Sequence, residues 1–363
     1  MSIHLVYPVD FSKKSAPWSI GNNLYKTLKK ISTVKIYQWT SYEKIVPKKG
    51  DILIGHAHPN PLTVFRRSLN NSNWKKKILI QPFNSDPLQM SYLYSFINEC
   101  DLFLAITGKF WFDNLNKTIF KSWKKKMVRL DMAINVLDYP KVKKKFNKKF
   151  ERKFIYIGNE IKFNNYTKNT VYLKDIANAY EPSLFSTAGN KNIDRIKHYG
   201  WLNFHEKKGM DIIKKHDFLI MTSKHDANPT VILEAMAWGI IPLVTKECGY
   251  YKNKGILNIP LNKLHKTISI IKKIQVLKDQ DLKKFQKYNY LEVKKKYTWK
   301  IFTNKVIKSL ESKKNFEIRK VNKKEESIFI NYYKKSPNYH LRLVNIVEFF
   351  FISLKFFCKK IIK

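Results

Sequence analysis

The chain is poor in cysteine, in arginine and in acidic residues, and each shortage removes a class of explanation. Cys100, Cys248 and Cys358 are its three thiols. They lie far apart and at no metal-ligand spacing, which excludes a disulfide framework or a cysteine zinc site and points to a reducing compartment. Against 70 basic residues stand only 28 acidic ones, a net charge of +42, so polyanions such as an anionic membrane surface or nucleic acid are natural neighbours. Only seven of the 70, at positions 66, 67, 129, 152, 195, 319 and 342, are Arg. No Arg-rich, aromatic-interleaved patch or recognition motif therefore marks a specific nucleic-acid binder, and a compositional bias toward Lys at exposed positions explains the excess equally well. No internal repeat is present, and no Asp-x-Asp metal site stands out. The N-terminal "MSIHLVYPVDF" has too short an apolar run for a secretory signal and no basic segment before it, so the chain is expected in the cytoplasm.

What is present is the make-up of a folded protein, 44% hydrophobic and 14% aromatic, long enough for two domains with buried cores. Apolar β-type runs, "IHLVYP" at 3–8, "TVKIYQW" at 33–39, "DILIGHAH" at 51–58, "KILIQPF" at 77–83 and "CDLFLAIT" at 100–107, alternate with helix-type stretches such as "IGNNLYKTLKK" and "LQMSYLYSFINE". Continuous apolar strands, each followed by a helix, predict a parallel sheet covered on both faces. The basic run 139–153, opened by a proline, marks a boundary, after which strands recur at 154–159, 184–189, 217–223 and 240–245. The expectation is an α/β protein of two Rossmann-like doubly wound domains, 1–145 and 146–312, followed by a basic tail, 313–363. The default ligand site is the crevice where the strand carboxyl ends open.

One stretch, "TSKHDANPTVILEAMAWGIIPLVT" at 222–245, carries chemistry. Asn228 and Pro229 form a helix start, with Asn228 expected to cap the free amides. Ile232, Leu233, Met236 and Ala237 make the core-facing stripe, and Gly239 ends the helix before the next strand. The helix N-terminus favours an anionic or hydroxyl-rich ligand. Glu234, beside an otherwise apolar face, needs partners, and a sugar or ribose diol offers paired hydroxyls to a carboxylate. The plainer alternative makes Asp226 a turn residue and Glu234 a surface charge.

The stretch resembles the signature of retaining glycosyltransferases of GT-B fold, in the large family that includes many bacterial surface-polysaccharide enzymes. The match rests on Ser223, Pro229, Leu233, Glu234, Ala235, Met236, Ala237, Gly239 and Pro242. It departs at Asp226, where the family has Glu, which shortens that side chain by about 1.5 Å. Weaker similarities lie at Asp217, Gly200, Asn135, Asp138 and Trp299. The resemblance implies that Asp226 and Glu234 are the catalytic acids, Glu234 on the ribose hydroxyls and Asp226 on the donor sugar. Asn228, Pro229 and Thr230 would present amides to the sugar or its diphosphate. Where the family carries an Arg after the first glycine of its second domain, this chain has Gly158 followed by Asn159. Lys162 or Lys168 substitutes, with Lys162 the first choice, and Gly21 falls where the family keeps a glycine near the phosphates.

The reaction implied is retaining, metal-independent hexosyl transfer from a nucleotide sugar to a lipid-linked or lipid-anchored glycan in capsule, O-antigen or lipooligosaccharide synthesis. It uses no cofactor. His56 and His58, at a strand's carboxyl end, are candidates for donor or acceptor contact or are satisfied loop residues. The tail "LRLVNIVEFFFISLKFFCKKIIK" reads as an amphipathic interfacial helix over about 341–358, flanked by lysines and too short to span a bilayer. This would place the enzyme peripherally on the inner face of the plasma membrane; a helix packed on the protein's own surface is the plainer reading. A different class also fits: a non-catalytic basic scaffold of GT-B type that binds membrane or nucleic acid through its charge.

Overall fold

A computed structural model describes residues 1–159, 165–251, 253–312 and 323–336. Lys162 and the stretch 341–358 lie outside the described residues. The chain divides into two compact units: Met1–Ile106 with Leu115–Leu130 and the described residues from Thr303 on, and Thr107–Asn114 with Asp131–Phe302.

In the first unit six strands, β1 (Ser2–Val6), β2 (Thr33–Tyr37), β3 (Asp51–Gly55), β4 (Trp74–Pro82), β5 (Leu102–Ile106) and β6 (Met127–Leu130), form one parallel sheet in the order β2-β1-β3-β4-β5-β6. β3 and β5 are buried at every position, as central parallel strands covered on both faces must be, whereas the edge strand β2 is half exposed. In the second unit β7 (Phe154–Ile157), β8 (Phe185–Ala188), β9 (Lys197–His198), β10 (Phe218–Met221), β11 (Ile241–Thr245) and β12 (Leu257–Ile259) pair in parallel as β12-β11-β10-β7-β8-β9. The order reverses between β7 and β10, and in open α/β sheets ligands gather at the strand carboxyl ends beside such a reversal. Both sheets match the doubly wound expectation. The strands not foreseen, β6, β9 and β12, are two to four residues long and only partly apolar.

Three other expectations differ. "LQMSYLYSFINE" is not one helix but three short turns, Pro87–Met90, Ser91–Leu93 and Tyr94–Ile97; Ser91 Oγ donates to the Pro87 carbonyl at 2.5 Å, a competing bond that bends helices. The chain passes into the second unit at Asp131 rather than after 145, because the basic run is tied there by Asp217. That fully buried carboxylate takes Lys143 Nζ at 2.7 Å and the amides of Asn147 and Lys153 at 2.9 and 2.8 Å. The return to the first unit falls inside the helix Trp299–Glu311 rather than at 312. Lys76 of β4 closes that helix's C-terminus by donating to the carbonyls of Ser309, Leu310 and Ser312 at 2.9, 3.1 and 2.9 Å, the end where a cation is favoured.

Candidate functional site

In the second unit β10 runs into Thr222 and Ser223, then a loop through Asp226, then the helix Thr230–Trp238. The helix buries Ile232, Leu233, Ala235, Met236, Ala237 and Trp238 and ends on Gly239, left-handed at φ 89°. Asn228 does not cap it. Pro229 stands at the cap position with no side-chain bond to the first turn, while Asn228 Oδ1 accepts the amide of Met132. Burial and the chain crossing at 131–132 outcompete the local cap; Ile232 N donates to Pro229 O at 3.3 Å, and the amides of Thr230 and Val231 are left to solvent or a ligand.

The loops after β7 and β10, on either side of the strand-order reversal, are laced together. Thr222 Oγ1 donates to the Asn169 carbonyl at 2.9 Å, Asn169 Nδ2 donates to the Thr222 carbonyl at 3.1 Å, and the Lys224 amide donates to Thr167 O at 2.7 Å. This lacing sets Lys168 against Asp226 in an ion pair whose side chains are only 24% and 13% exposed. The diphosphate-neutralising role given first to Lys162 therefore has its second candidate, Lys168, paired with the first acid.

Two further segments pin the Asp226 loop. The Asp226 amide donates to Glu247 O at 3.0 Å, and Trp111 Nε1 donates to Asp226 O at 2.7 Å while its ring stacks on His225. Gly108 N donates to Ala227 O at 2.8 Å, and Phe110 N to Gly249 O at 3.2 Å. These backbones touch: a Cβ on Gly108 would meet Gly249 Cα at 2.3 Å, and Gly249 is left-handed at φ 87°, so only glycine fits at either position. Behind the loop lie Cys248, whose thiol burial pushes up to about 12, and Tyr250, which donates to Pro229 O at 3.3 Å.

Glu234 is half-buried on the second turn of the helix. Withdrawal from water pushes its carboxyl up to about 7, opposed by the Tyr139 hydroxyl, which donates to Oε1 at 3.3 Å. Tyr139 itself packs on Trp238 and His205 at 5.7 and 5.2 Å between ring centroids. Lys168 was only a second choice in the sequence, and Trp111 and Tyr139 carry no local signal there: they lie 115 and 95 residues from their partners.

In the first unit, Gly21 lies within the helix Trp18–Leu28 rather than in the turn before it, and a Cβ there would meet Pro8 O at 2.0 Å; close packing accounts for this glycine. His56 and His58 follow β3 at that sheet's own reversal. His56 packs on Trp39 and Tyr7 at 4.5 and 5.4 Å between centroids, and burial lowers it to about 3. His58 Nδ1 accepts the Asn60 amide at 3.1 Å, and burial likewise lowers the pKa of its ring. Among the described residues no group of three or more His, Cys, Asp or Glu could hold a metal ion. The Asp-x-Asp at 279–281, passed over in the sequence, opens the helix Asp279–Lys296, where Asp279 pairs with Arg152 and Asp281 with Lys284.

No protein-family model and no curated protein sequence matches the chain. Solved structures do match its fold. A glycosyltransferase from Rickettsia africae ESF-5 aligns with a TM-score of 0.59 at 12% identity, over 85% of this chain and 97% of its own. The lipopolysaccharide outer core galactosyltransferase WaaB, in its apo form, gives 0.60 at 13% identity, over 85% and 100%. Anabaena Alr3699/HepE, in complex with UDP and glucose, gives 0.58 at 10% identity, over 86% and 99%. The fold of this chain is thus the GT-B fold of these glycosyltransferases.

Proposed function

We propose that the protein is a glycosyltransferase that takes a hexose from a nucleoside diphosphate sugar, a uridine nucleotide first among them, and passes it with retention to a lipid-linked or lipid-anchored glycan acceptor. One observation carries the reading: the Lys168–Asp226 pair, with Glu234 in the helix that follows, occupies the carboxyl end of β10 beside the strand-order reversal. The shared fold supports it, since one solved neighbour is in complex with UDP and glucose and another is a galactosyltransferase.

Glu234 accepts the ribose hydroxyls, and Asp226 accepts hydroxyls of the donor sugar. In transfer, the bond from the anomeric carbon to the phosphate oxygen breaks and a bond to the acceptor oxygen forms on the same face. The departing phosphate oxygen takes the acceptor's proton. Lys168 and the uncapped amides at Thr230 stabilise the charge that grows on the diphosphate, the kind of preorganised field that commonly dominates such catalysis. These groups supply the positive charge within the chain, so the proposed reaction uses neither metal nor cofactor. The lysine excess and the Phe-rich stretch 341–358 would hold the enzyme on an anionic membrane where such an acceptor is displayed, in polysaccharide synthesis at the bacterial inner membrane. No helix among the described residues is long and apolar enough to cross a membrane.

Thermal shift against a panel of nucleoside diphosphates and their sugars tests the reading, because a ligand present at 100 times its Kd stabilises the fold by about 2.7 kcal/mol. One nucleotide should raise Tm, and Asp226→Ala should keep that shift while losing sugar transfer. Equal loss of binding and turnover would contradict the sugar-facing role of Asp226. No response to any nucleotide, with salt-sensitive retention on DNA, would select the non-catalytic scaffold.

A further inference from the structure

In the first unit, the turn-rich segment 115–126 and the helix Lys323–Lys334 enclose an open cavity of about 480 Å³. Its lining includes the exposed Lys117, Lys121 and Lys324, the half-buried Ile119, the exposed Ile328 and the buried Phe329, with Glu325 the acid among them. Phe329 is held in place: it is 1% exposed and packs on Trp123, Phe120 and Tyr94 at 5.0, 5.6 and 6.3 Å between ring centroids. Ile328, by contrast, is 38% exposed and shares the lining with the three lysines. The surroundings strengthen the field. Residues 115–130 contain six basic and no acidic side chains, and 323–336 contain four basic and two acidic.

We infer that this cavity docks the headgroup of an anionic phospholipid, the three lysines taking the phosphate and Ile119 and Ile328 meeting the glycerol and first methylenes. Three cations that share one lining with aliphatic side chains complement an amphiphile whose charge sits next to hydrocarbon. Single-stranded nucleic acid is the poorer fit, because base stacking needs an exposed aromatic face and the aromatic ring here is buried. The inference locates a membrane contact in the folded body, and it stands or falls independently of sugar transfer.

The test uses the full chain with vesicles of phosphatidylglycerol or of phosphatidylcholine. A lysine near an anionic leaflet is worth about 1 kcal/mol, roughly fivefold in partitioning. The triple change Lys117→Gln, Lys121→Gln and Lys324→Gln should therefore weaken binding to phosphatidylglycerol by about 100-fold. Ile328→Ser should weaken it severalfold while leaving Tm unchanged, since that side chain is exposed. A control with Lys283, Lys287 and Lys294 changed to Gln removes equal charge from the second unit. Equal losses in triple variant and control would reduce the effect to net charge and overturn the site. A triple variant that binds vesicles normally but loses retention on DNA would overturn the lipid assignment. Stabilisation of the wild type by free glycerol phosphate, as large as that given by phosphatidylglycerol, would make it a site for a soluble phosphate rather than for a membrane.

Discussion

Between pH 6 and pH 8 the affinity for uridine should rise about tenfold, and Glu234→Gln should abolish the rise. The reasoning begins at the half-buried carboxyl of Glu234, lifted from 4.5 to about 7 by withdrawal from water, against the pull of the Tyr139 hydroxyl. A ribose diol donates both its hydrogens, so it needs the ionised carboxylate. With a midpoint near 7, the ionised fraction climbs from roughly one tenth at pH 6 to nine tenths at pH 8, and the apparent association constant follows it. The stability of the unliganded protein carries the opposite sign. A carboxyl whose folded value lies above its unfolded one contributes stability that is fully present below pH 4.5 and is lost as pH rises through 7; the ceiling is about 3 kcal/mol, lowered by the water Glu234 still meets. Glu234→Gln should thus flatten both dependences. Tyr139→Phe removes a bond that favours the charged form, so it should move the midpoint of binding upward and weaken binding most at pH 6 and least at pH 8. Uridine is the probe because it lacks the phosphate that titrates in the same range. Calorimetry at pH 6, 7 and 8 on the three proteins decides the matter. A slope that survives Glu234→Gln places the titrating group elsewhere and refutes the ribose assignment; a flat wild-type profile refutes the argument from burial.

Trp111→Phe keeps a ring over His225 but loses the bond to the Asp226 carbonyl, worth about 1 kcal/mol; kcat should fall severalfold with nucleotide binding unchanged, and a lowered Tm at normal kcat would mark the contact as structural only. Asp217→Ala strands the Lys143 ammonium and three hydrogen-bonded groups of the 147–153 run. It should cost about 3–5 kcal/mol in urea unfolding, and the pair change Lys143→Met with Asp217→Leu should recover much of that. A loss under about 1 kcal/mol would show that solvent reaches the pair after all.

Much of this protein was legible in its sequence because the decisive signals are local. Nine apolar runs of six to eight residues mark nine of the twelve strands, since a parallel strand covered on both faces must be apolar at consecutive positions. The 222–245 stretch announces its own strand, loop, helix and strand, and the order of Ile232, Leu233, Glu234 and Met236 shows that a carboxylate breaks an otherwise apolar helix. The fold class follows from neighbours in the chain, and so does the placing of Asp226 on a loop and Glu234 on the helix after it.

Everything that depends on distant residues was decided only by the tertiary structure. Asn228 is a good local cap, yet the amide of Met132, 96 residues away, takes its oxygen, because a buried amide left without a partner costs more than a half-exposed helix end. Lys168 faces Asp226 because the loops after β7 and β10 are brought together by the strand order, and that order is set by sheet packing rather than by any spacing along the chain. The same holds for Tyr139 at Glu234, Trp111 at the Asp226 loop, and the return of the chain past Thr303 to the first unit. Apolar period and turn chemistry fix which segments form elements; which elements lie side by side is chosen by the burial that the whole chain achieves at once.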